Sequence, residues 1–108
     1  MIRVIPLHGR NGKHIGFHAS GHSGSAPRGG DIVCAAVSAL TQSACMALKH
    51  YGIGYRYNRD DETGLLGLIA ENSEITRIIL TSMYCGLEAI AQQYPQYLRV
   101  TPFQEVEA

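Results

Sequence analysis

The chain has 108 residues, a length that predicts one domain with a modest hydrophobic core over residues 1–108. Nine basic and nine acidic side chains cancel, which argues against direct binding to nucleic acid or to a membrane surface, because both favour a basic footprint. No apolar run is expected to be long enough to cross a bilayer, and no signal-peptide pattern opens the chain, so a cytoplasmic protein is predicted.

Three cysteines are an odd number, and this favours reduced thiols over a disulfide framework. Cys34 and Cys45 fall on one predicted helix about 16 Å apart, which is too far for a disulfide. Cys45 and Cys85 are interpreted as small residues in or beside the core.

The chain opens with a predicted hairpin. Residues 2–8 form the first strand, and Pro6 places it at an edge or near a strand end. Asn11 and Gly12 indicate a turn over residues 9–12, and residues 13–21 form the return strand. Ile15 and Phe17 alternate with polar residues and are expected to face the core.

Three histidines recur every four residues along the return strand, and they raise the question of a metal site. His14, His18 and His22 share one face of a regular strand. Successive members are about 13 Å apart, however, which is too far for one zinc ion to bridge. We therefore interpret His14 and His18 as a solvated polar face, and we predict no metal and no other cofactor.

A glycine-rich loop leads from this strand into the first helix; it reads Gly21-His22-Ser23-Gly24-Ser25-Ala26-Pro27-Arg28-Gly29-Gly30-Asp31. Asp31 is the predicted N-cap, so Cys34 would lie in the first turn, where open N–H groups and the helix dipole favour a thiolate. His22 is the nearest candidate base. A cysteine beside an imidazole can perform covalent acyl transfer, and N–H groups near Gly30 could receive the oxyanion.

The same residues have a plainer interpretation. A cysteine at the start of an Ala-rich helix is commonly a small buried side chain, and a Cys–His pair alone is not a specific motif. Ser38 lies one turn after Cys34 on the same face. It could contact the substrate or the nucleophile, or it could bond back to the preceding turn.

The first helix is predicted from Ile32 to His50 or Tyr51, and Gly52 and Gly54 end it. Its small residues would let the backbone approach a sheet or a second subunit. Its apolar stripe comprises Val33, Val37, Leu40, Ala44, Ala47, Leu48 and Tyr51.

The remaining elements follow in order. Residues 53–57 predict a third strand, residues 58–64 a polar turn and residues 65–70 a buried fourth strand. The acids of that turn, Asp60, Asp61 and Glu62, lack calcium-loop spacing and are interpreted as a solvated tip. Residues 97–103 predict a last strand, and residues 101–108 trail off as a polar tail.

The second helix follows a cap at Asn72 or Ser73 and ends before Pro95. Its predicted buried face comprises Ile75, Ile78, Ile79, Met83, Tyr84, Leu87 and Ile90. The order β-β-α-β-β-α-β predicts an α+β fold, with two helices packed on a mostly antiparallel sheet because the strand links are short.

The glycine-rich loop, continued through Ile32-Val33-Cys34-Ala35-Ala36-Val37-Ser38-Ala39-Leu40, resembles the signature of the ribosomal-processing cysteine protease family, called Prp. The resemblance implies a homodimeric cysteine endopeptidase that removes the N-terminal extension of the twenty-seventh large-subunit ribosomal protein. It makes His22 the base and Cys34 the nucleophile. The implied supporting residues are Gly21, Asp31 and Ser38, and the implied substrate loop contains Ser23, Gly24, Gly29 and Gly30.

Two other functions remain open on the residues alone. The first is a non-catalytic, ribosome-associated module that binds an extended peptide at a strand edge, with Cys34 inert. The second is a zinc-dependent hydrolase, which would need a bound metal.

Overall fold

The computed structural model describes residues 1–21, 28–60 and 64–106. In chain order its elements are β1 (Ile2–His8), β2 (His14–Ser20), α1 (Arg28–His50), β3 (Tyr55–Asp60), β4 (Leu65–Ala70), α2 (Glu74–Gln93), β5 (Leu98–Val100) and β6 (Gln104–Glu105). The predicted α+β class and the order of the first seven elements are confirmed.

The strands form one sheet in the order β3-β4-β2-β1-β5, and β6 also pairs with β1. Three pairings are antiparallel: β1 with β2, β2 with β4 and β3 with β4. Only a few residues connect β1 to β2 and β3 to β4, and such short links allow antiparallel pairing only. The strands β5 and β6 run parallel to β1, since the chain reaches them only after crossing over through α2. The prediction of a mostly antiparallel sheet is therefore confirmed.

One face of the sheet carries the core. Ile15 and Phe17 are fully buried, as the alternation in β2 predicts. Phe17 pairs with Leu68 of β4, and inward residues of both strands pack against the two helices. The buried hydrophobic cluster comprises Ile2, Val4, Phe17, Ala19, Val33, Val37, Ala44, Leu48, Leu68, Ala70, Leu80, Met83, Tyr84, Leu87 and Leu98.

Helix α1 ends as predicted. Gly52 has a positive φ of 71°, its N–H donates to Lys49, and the N–H of Ile53 donates to Leu48. These bonds satisfy carbonyls that the last turn leaves open, and glycine adopts the left-handed conformation without a Cβ clash. Tyr51, however, is 59% exposed, so its predicted place in the buried stripe is wrong.

We expected no apolar run long enough to cross a membrane, and this expectation is wrong when only length and composition are considered. Ile32–His50 has a mean hydropathy of 1.5 and could cross a bilayer on those two criteria. A core helix passes the same test, and the inner face of this helix, with Val33, Val37 and Leu48, packs into the core. The high hydropathy therefore fits a helix rich in alanine that covers a sheet.

Helix α2 begins at the predicted Ser73 cap, whose hydroxyl accepts a bond from the N–H of Thr76 at 3.1 Å. Its buried residues are Thr76, Leu80, Met83, Tyr84 and Leu87. Ile75 and Ile78 are exposed, so the predicted face is rotated from the observed one. Gly86 explains part of the packing, because a Cβ there would press into Leu40 of α1.

The C-terminal residues also differ from the prediction. The last predicted strand shortens to β5, and residues assigned to a polar tail form β6. Leu7 and His8 of β1 pair with Gln104 and Glu105. Alternating hydrophobicity could not reveal β6, because a two-residue strand is held by backbone pairing rather than by side chains.

Candidate active site

A cleft of about 170 Å³ lies between the first half of α1 and the β3–β4 hairpin. Cys34 is partly exposed in this cleft, and Gly21, directly after β2, also lines it. The cleft therefore joins the two ends of the glycine-rich loop that the sequence singled out. Its lining residues are Ile2, Ala19, Gly21, Cys34, Val37, Ser38, Thr41, Gln42, Tyr57, Arg59, Asp60, Gly64, Leu65 and Leu66.

Gly21 is required at its position for two reasons. Its φ is +87°, in the region that glycine adopts without strain. A Cβ there would also collide with the carbonyl oxygen of Met1. The next residue, His22, lies outside the described residues, as do Ser23 and Gly24, so Gly21 is the last described residue before the candidate base.

Helix α1 begins at Arg28 rather than after Asp31, so the predicted N-cap is wrong. Gly29 and Gly30 belong to the first turn of α1 instead of to a loop. Cys34 comes six residues after Arg28, about 9 Å along the axis, and is therefore beyond the first turn.

Because α1 begins at Arg28, the backbone N–H groups without a partner inside the helix differ from those that the sequence predicted. In an α-helix the N–H of each residue bonds to the carbonyl four residues earlier, so the amide of Cys34 is used inside the helix. The open N–H groups are those of the first turn, including Gly29 and Gly30. A helical side chain leans toward the N-terminus, so the Cys34 sulfur is directed toward that turn.

Ser38 is exposed on the cleft wall one turn after Cys34. Thr41 and Gln42, the next residues on this face, also line the cleft. The Thr41 hydroxyl is buried and donates to the carbonyl of Val37 at 2.9 Å. Sequence reasoning missed Thr41 and Gln42, although counting seven and eight residues from Cys34 would have placed them on its face.

The opposite wall comes from β3. Tyr57, Arg59 and Asp60 line the cleft, and Tyr57 is 42% exposed. Asp60 is exposed, as expected of a solvated side chain, but it ends β3 at the cleft, so its predicted place in the turn over residues 58–64 is wrong. Asp61 and Glu62 lie outside the described residues. No local pattern could assign Tyr57 or Asp60, since the hairpin reaches α1 only in the folded sheet.

The other two cysteines occupy different surroundings. Cys45 is partly buried against the core, and its hydrogen bond to Tyr55 raises the pKa of that hydroxyl. Cys85 is exposed on α2. Neither lines the cleft, so both serve as internal controls for Cys34.

The histidines of β2 do not form the predicted solvated face. His14 is partly buried and bonds to His8 through their ring nitrogens at 2.8 Å, whereas His18 is partly exposed elsewhere on the strand. Within residues 1–21, 28–60 and 64–106, no three His, Cys, Asp or Glu side chains are grouped to hold a metal.

Comparison with known proteins identifies the class. A family model described as cysteine protease Prp matches residues 1–99. The Staphylococcus aureus ribosomal processing protease Prp, solved with a covalently linked product peptide, is similar at a TM-score of 0.84 and 27% identity, covering 94% of this chain and 99% of that one. Its complex with a substrate peptide gives a TM-score of 0.85 and 25% identity, with the same coverage.

A Streptococcus mutans protein shares the fold at a TM-score of 0.77 and 23% identity, covering 98% of this chain and 96% of that one. The search of curated proteins found no match. The fold, the cysteine-bearing cleft and the family match together define a cysteine protease. The chain belongs to the cysteine protease Prp family.

Proposed function

We propose that this protein removes the N-terminal extension of the twenty-seventh large-subunit ribosomal protein, with Cys34 as nucleophile and His22 as general base. The observation that carries the proposal is the partly exposed Cys34 in a cleft whose wall includes Gly21, the residue before His22. The S. aureus relative is itself a ribosomal processing protease solved with peptides, which supports a peptide substrate here. A cytoplasmic location is part of the proposal.

The proposed reaction proceeds through a thioester. His22 takes the proton from the Cys34 sulfur as the S–C bond forms and the peptide carbonyl becomes an oxyanion. The C–N bond then breaks, and the amine leaves with the proton from His22. Water attacks the thioester while His22 takes its proton; the C–S bond breaks, and that proton returns to the sulfur.

The oxyanion is stabilised in this proposal by amides at the start of α1. Gly29 and Gly30 have N–H groups in the first turn, toward which the Cys34 side chain leans. Open amides at a helix start are suited to developing negative charge. The proposal also includes Asp31 as an orienting residue for His22 and Ser38 as a substrate contact.

The substrate peptide is proposed to bind in extended form beside β3. This strand is at the edge of the sheet and is exposed along most of its length. Three of its residues, Tyr57, Arg59 and Asp60, line the cleft. An extended peptide can add to such an edge through main-chain hydrogen bonds. This geometry would carry the scissile bond past Cys34.

The test is cleavage of a purified peptide that contains the extension and the start of the mature protein. We expect the wild-type chain to cleave it at one bond, and Cys34→Ala to be inactive, with a loss of at least about a thousandfold. His22→Ala should lose activity to a similar degree, because the two groups act as a unit. The matched control Cys85→Ala should cleave at the wild-type rate.

Circular dichroism should show that both inactive variants stay folded. A Cys34→Ala variant that still cleaves would refute the mechanism. The non-catalytic peptide-binding alternative, which the exposed β3 edge supports, makes a different prediction for alkylation at pH 7. Under the enzyme proposal iodoacetamide labels Cys34 faster in the folded protein than in the unfolded chain; under the binding alternative it does not.

A further inference from the structure

A second cluster of titratable groups lies at the far end of the sheet from the cleft. The cleft contains residues at the start of β1 and the end of β2, whereas this cluster lies at the end of β1 and the start of β2. Six residues of strand, roughly 20 Å, separate the two ends. The titratable members are His8, His14 and Tyr84, Phe103 stacks on His8, and none of the four lines the cleft.

A β-bulge creates the cluster. Leu7 pairs with Gly16, but the next residue, His8, pairs with His14, so Ile15 is an extra residue in β2. A bulge re-aims the side chains beside it. The ring of His14 consequently lies 4.8 Å from the ring of Tyr84 on α2, on the covered side of the sheet.

The two imidazoles share one hydrogen bond. Nε2 of His8 and Nδ1 of His14 are 2.8 Å apart. The other ring nitrogen of His8, Nδ1, is buried and has no hydrogen-bond partner among the described residues. Because a buried N–H without an acceptor is rarer than an unpaired acceptor, we assign the His8 proton to Nε2, which donates to Nδ1 of His14.

Each neutral ring already carries one proton, and this arrangement leaves no good position for a further proton on the pair. On Nδ1 of His8 it would create a buried cation whose N–H has no acceptor in the described part of the chain. On Nδ1 of His14 it would set two N–H groups against each other. Burial lowers the pKa of both histidines, and the charge of His8 further lowers that of His14.

Within the described part of the chain, the groups around the pair do not supply that acceptor. From α2, the Tyr84 hydroxyl donates to the carbonyl of Gly16, and burial raises its pKa, so it stays neutral. From β6, Glu105 is the register partner of His8 and is exposed. The turn before β2 also carries two cations, Arg10 and Lys13, neither of which offers an acceptor.

The pair also holds the C-terminal segment, residues 101–106, which lies beyond the residues that the family model matches. The ring of His8 stacks on Phe103 with centroids 3.9 Å apart and an angle of 16°. The carbonyl of His8 accepts a bond from the N–H of Val106 at 2.8 Å. His8 therefore contacts the segment through both its side chain and its backbone.

We propose that His8 and His14 form an acid-sensitive clasp that keeps residues 101–106 on β1 only while both imidazoles are neutral. Protonation of the neutral pair breaks the hydrogen bond between the rings, and the charged His8 ring moves toward water, away from Phe103. The cation–π contact that a charged His8 could gain with the exposed Phe103 is weaker than the cost of burying an unpartnered cation. Docking is thus stable above the ordinary histidine pKa, about 6.5, and weakens as the pH falls below it.

The experiment is an NMR titration of the full chain from pH 8 to pH 5. The His8 and His14 ring signals should titrate below the ordinary histidine value, because burial lowers the pKa of both rings. The amide signals of residues 101–106 should change with the same midpoint. Amide signals of α2 should stay constant, which separates release of the segment from global unfolding.

Two variants and one control make the test specific. His8→Phe keeps an aromatic ring on Phe103 but removes a titrating site, so the acid transition of residues 101–106 should disappear. His14→Gln retains an acceptor for His8 and should shift the transition or abolish it. The control, His18→Gln, alters another histidine of β2 and should keep the wild-type midpoint.

The proposal would be overturned if residues 101–106 stayed docked on β1 while the neutral His8–His14 pair became protonated. An unchanged transition in either His8→Phe or His14→Gln would overturn it as well. No readout depends on peptide cleavage, so failure of the clasp and failure of the proposed protease mechanism are distinguishable.

Discussion

At the scale of single residues, Gly21 fixes the backbone conformation directly before the candidate base, His22. Its positive φ and the nearby carbonyl of Met1 leave no room for a side chain. Any larger residue would have to shift the backbone directly before His22. Because catalytic groups lose rate steeply when they are displaced by about 1 Å, this glycine should matter for cleavage as well as for stability.

We expect Gly21→Ala to lower the free energy of unfolding by at least about 1–2 kcal/mol, the usual cost of a left-handed conformation for a residue with a Cβ. Cleavage of the extension peptide should fall by about tenfold or more, because His22 is displaced. Chemical denaturation and peptide cleavage measure the two effects.

The control for this prediction is Gly12→Ala. Gly12 also has a positive φ, of 75°, but nothing lies within 4 Å of its Cβ position, and it is in the turn far from the cleft. Gly12→Ala should lose stability through the same backbone strain and retain cleavage. Equal loss of cleavage in both variants would show that Gly21 has no special role at the site.

At the scale of elements, the two helices have different roles: α1 lines the cleft, and α2 contributes to the core. Helix α1 contributes Cys34, Ser38, Thr41 and Gln42 to the cleft, whereas no α2 residue lines it. Helix α2 instead supplies core residues and begins at a well-bonded cap, where the Thr76 hydroxyl also donates to the carbonyl of Glu71 at 2.7 Å. Weakening the start of α2 should therefore change stability and not the chemistry.

Ser73→Ala tests this division. Loss of the bond from the Thr76 amide should cost about 1 kcal/mol, because that N–H would lose its cap. The melting temperature should fall by about 4–8 °C, as expected for a domain near this size. The rate of peptide cleavage at 25 °C should stay within about twofold of wild type.

Thr81→Ala provides the comparison, since Thr81 is exposed on the same helix. It should leave the melting temperature nearly unchanged. A Ser73→Ala variant that melts like the wild type, or that loses cleavage while remaining folded, would contradict the separate roles of the two helices.

At the scale of the whole molecule, three large apolar side chains are exposed on the outer surface of the helices. Met46 is 71% exposed, Ile78 is 62% exposed and Tyr51 is 59% exposed. Ser43 and Ala47 connect the depression beside Met46 and Tyr51 to the groove that contains Ile78, so the surface is continuous. Such patches on small proteins mark interaction sites, and we propose that this one pairs two copies of the chain.

We expect light scattering after size exclusion to give twice the mass of one chain for the wild type at micromolar concentration. Met46→Glu should shift the protein to one copy, because a two-fold interface would bury the new charge twice. Gln93→Glu, an exposed change on α2 away from this surface, should remain a dimer. A wild-type protein with the mass of a single chain would exclude the pairing.

Local sequence patterns predicted most of the elements. Residues 2–8 and 65–70 match β1 and β4 at both ends, and Ser73 was one of two predicted caps. These features depend on neighbours a few residues apart, through alternation, turn chemistry and capping. Long-range packing explains the failures, including the rotated face of α2 and the pairing of β6 with β1.

The candidate site divides in the same way. The sequence by itself determined the family signature, the need for a glycine at position 21 and the choice of Cys34 as candidate nucleophile, because all three lie in one continuous stretch. Only the tertiary structure decided that Tyr57 and Asp60 face Cys34 across a cleft and that a bulge joins His8 to His14. Strand register and helix packing, which emerge from the whole core, bring these distant residues together.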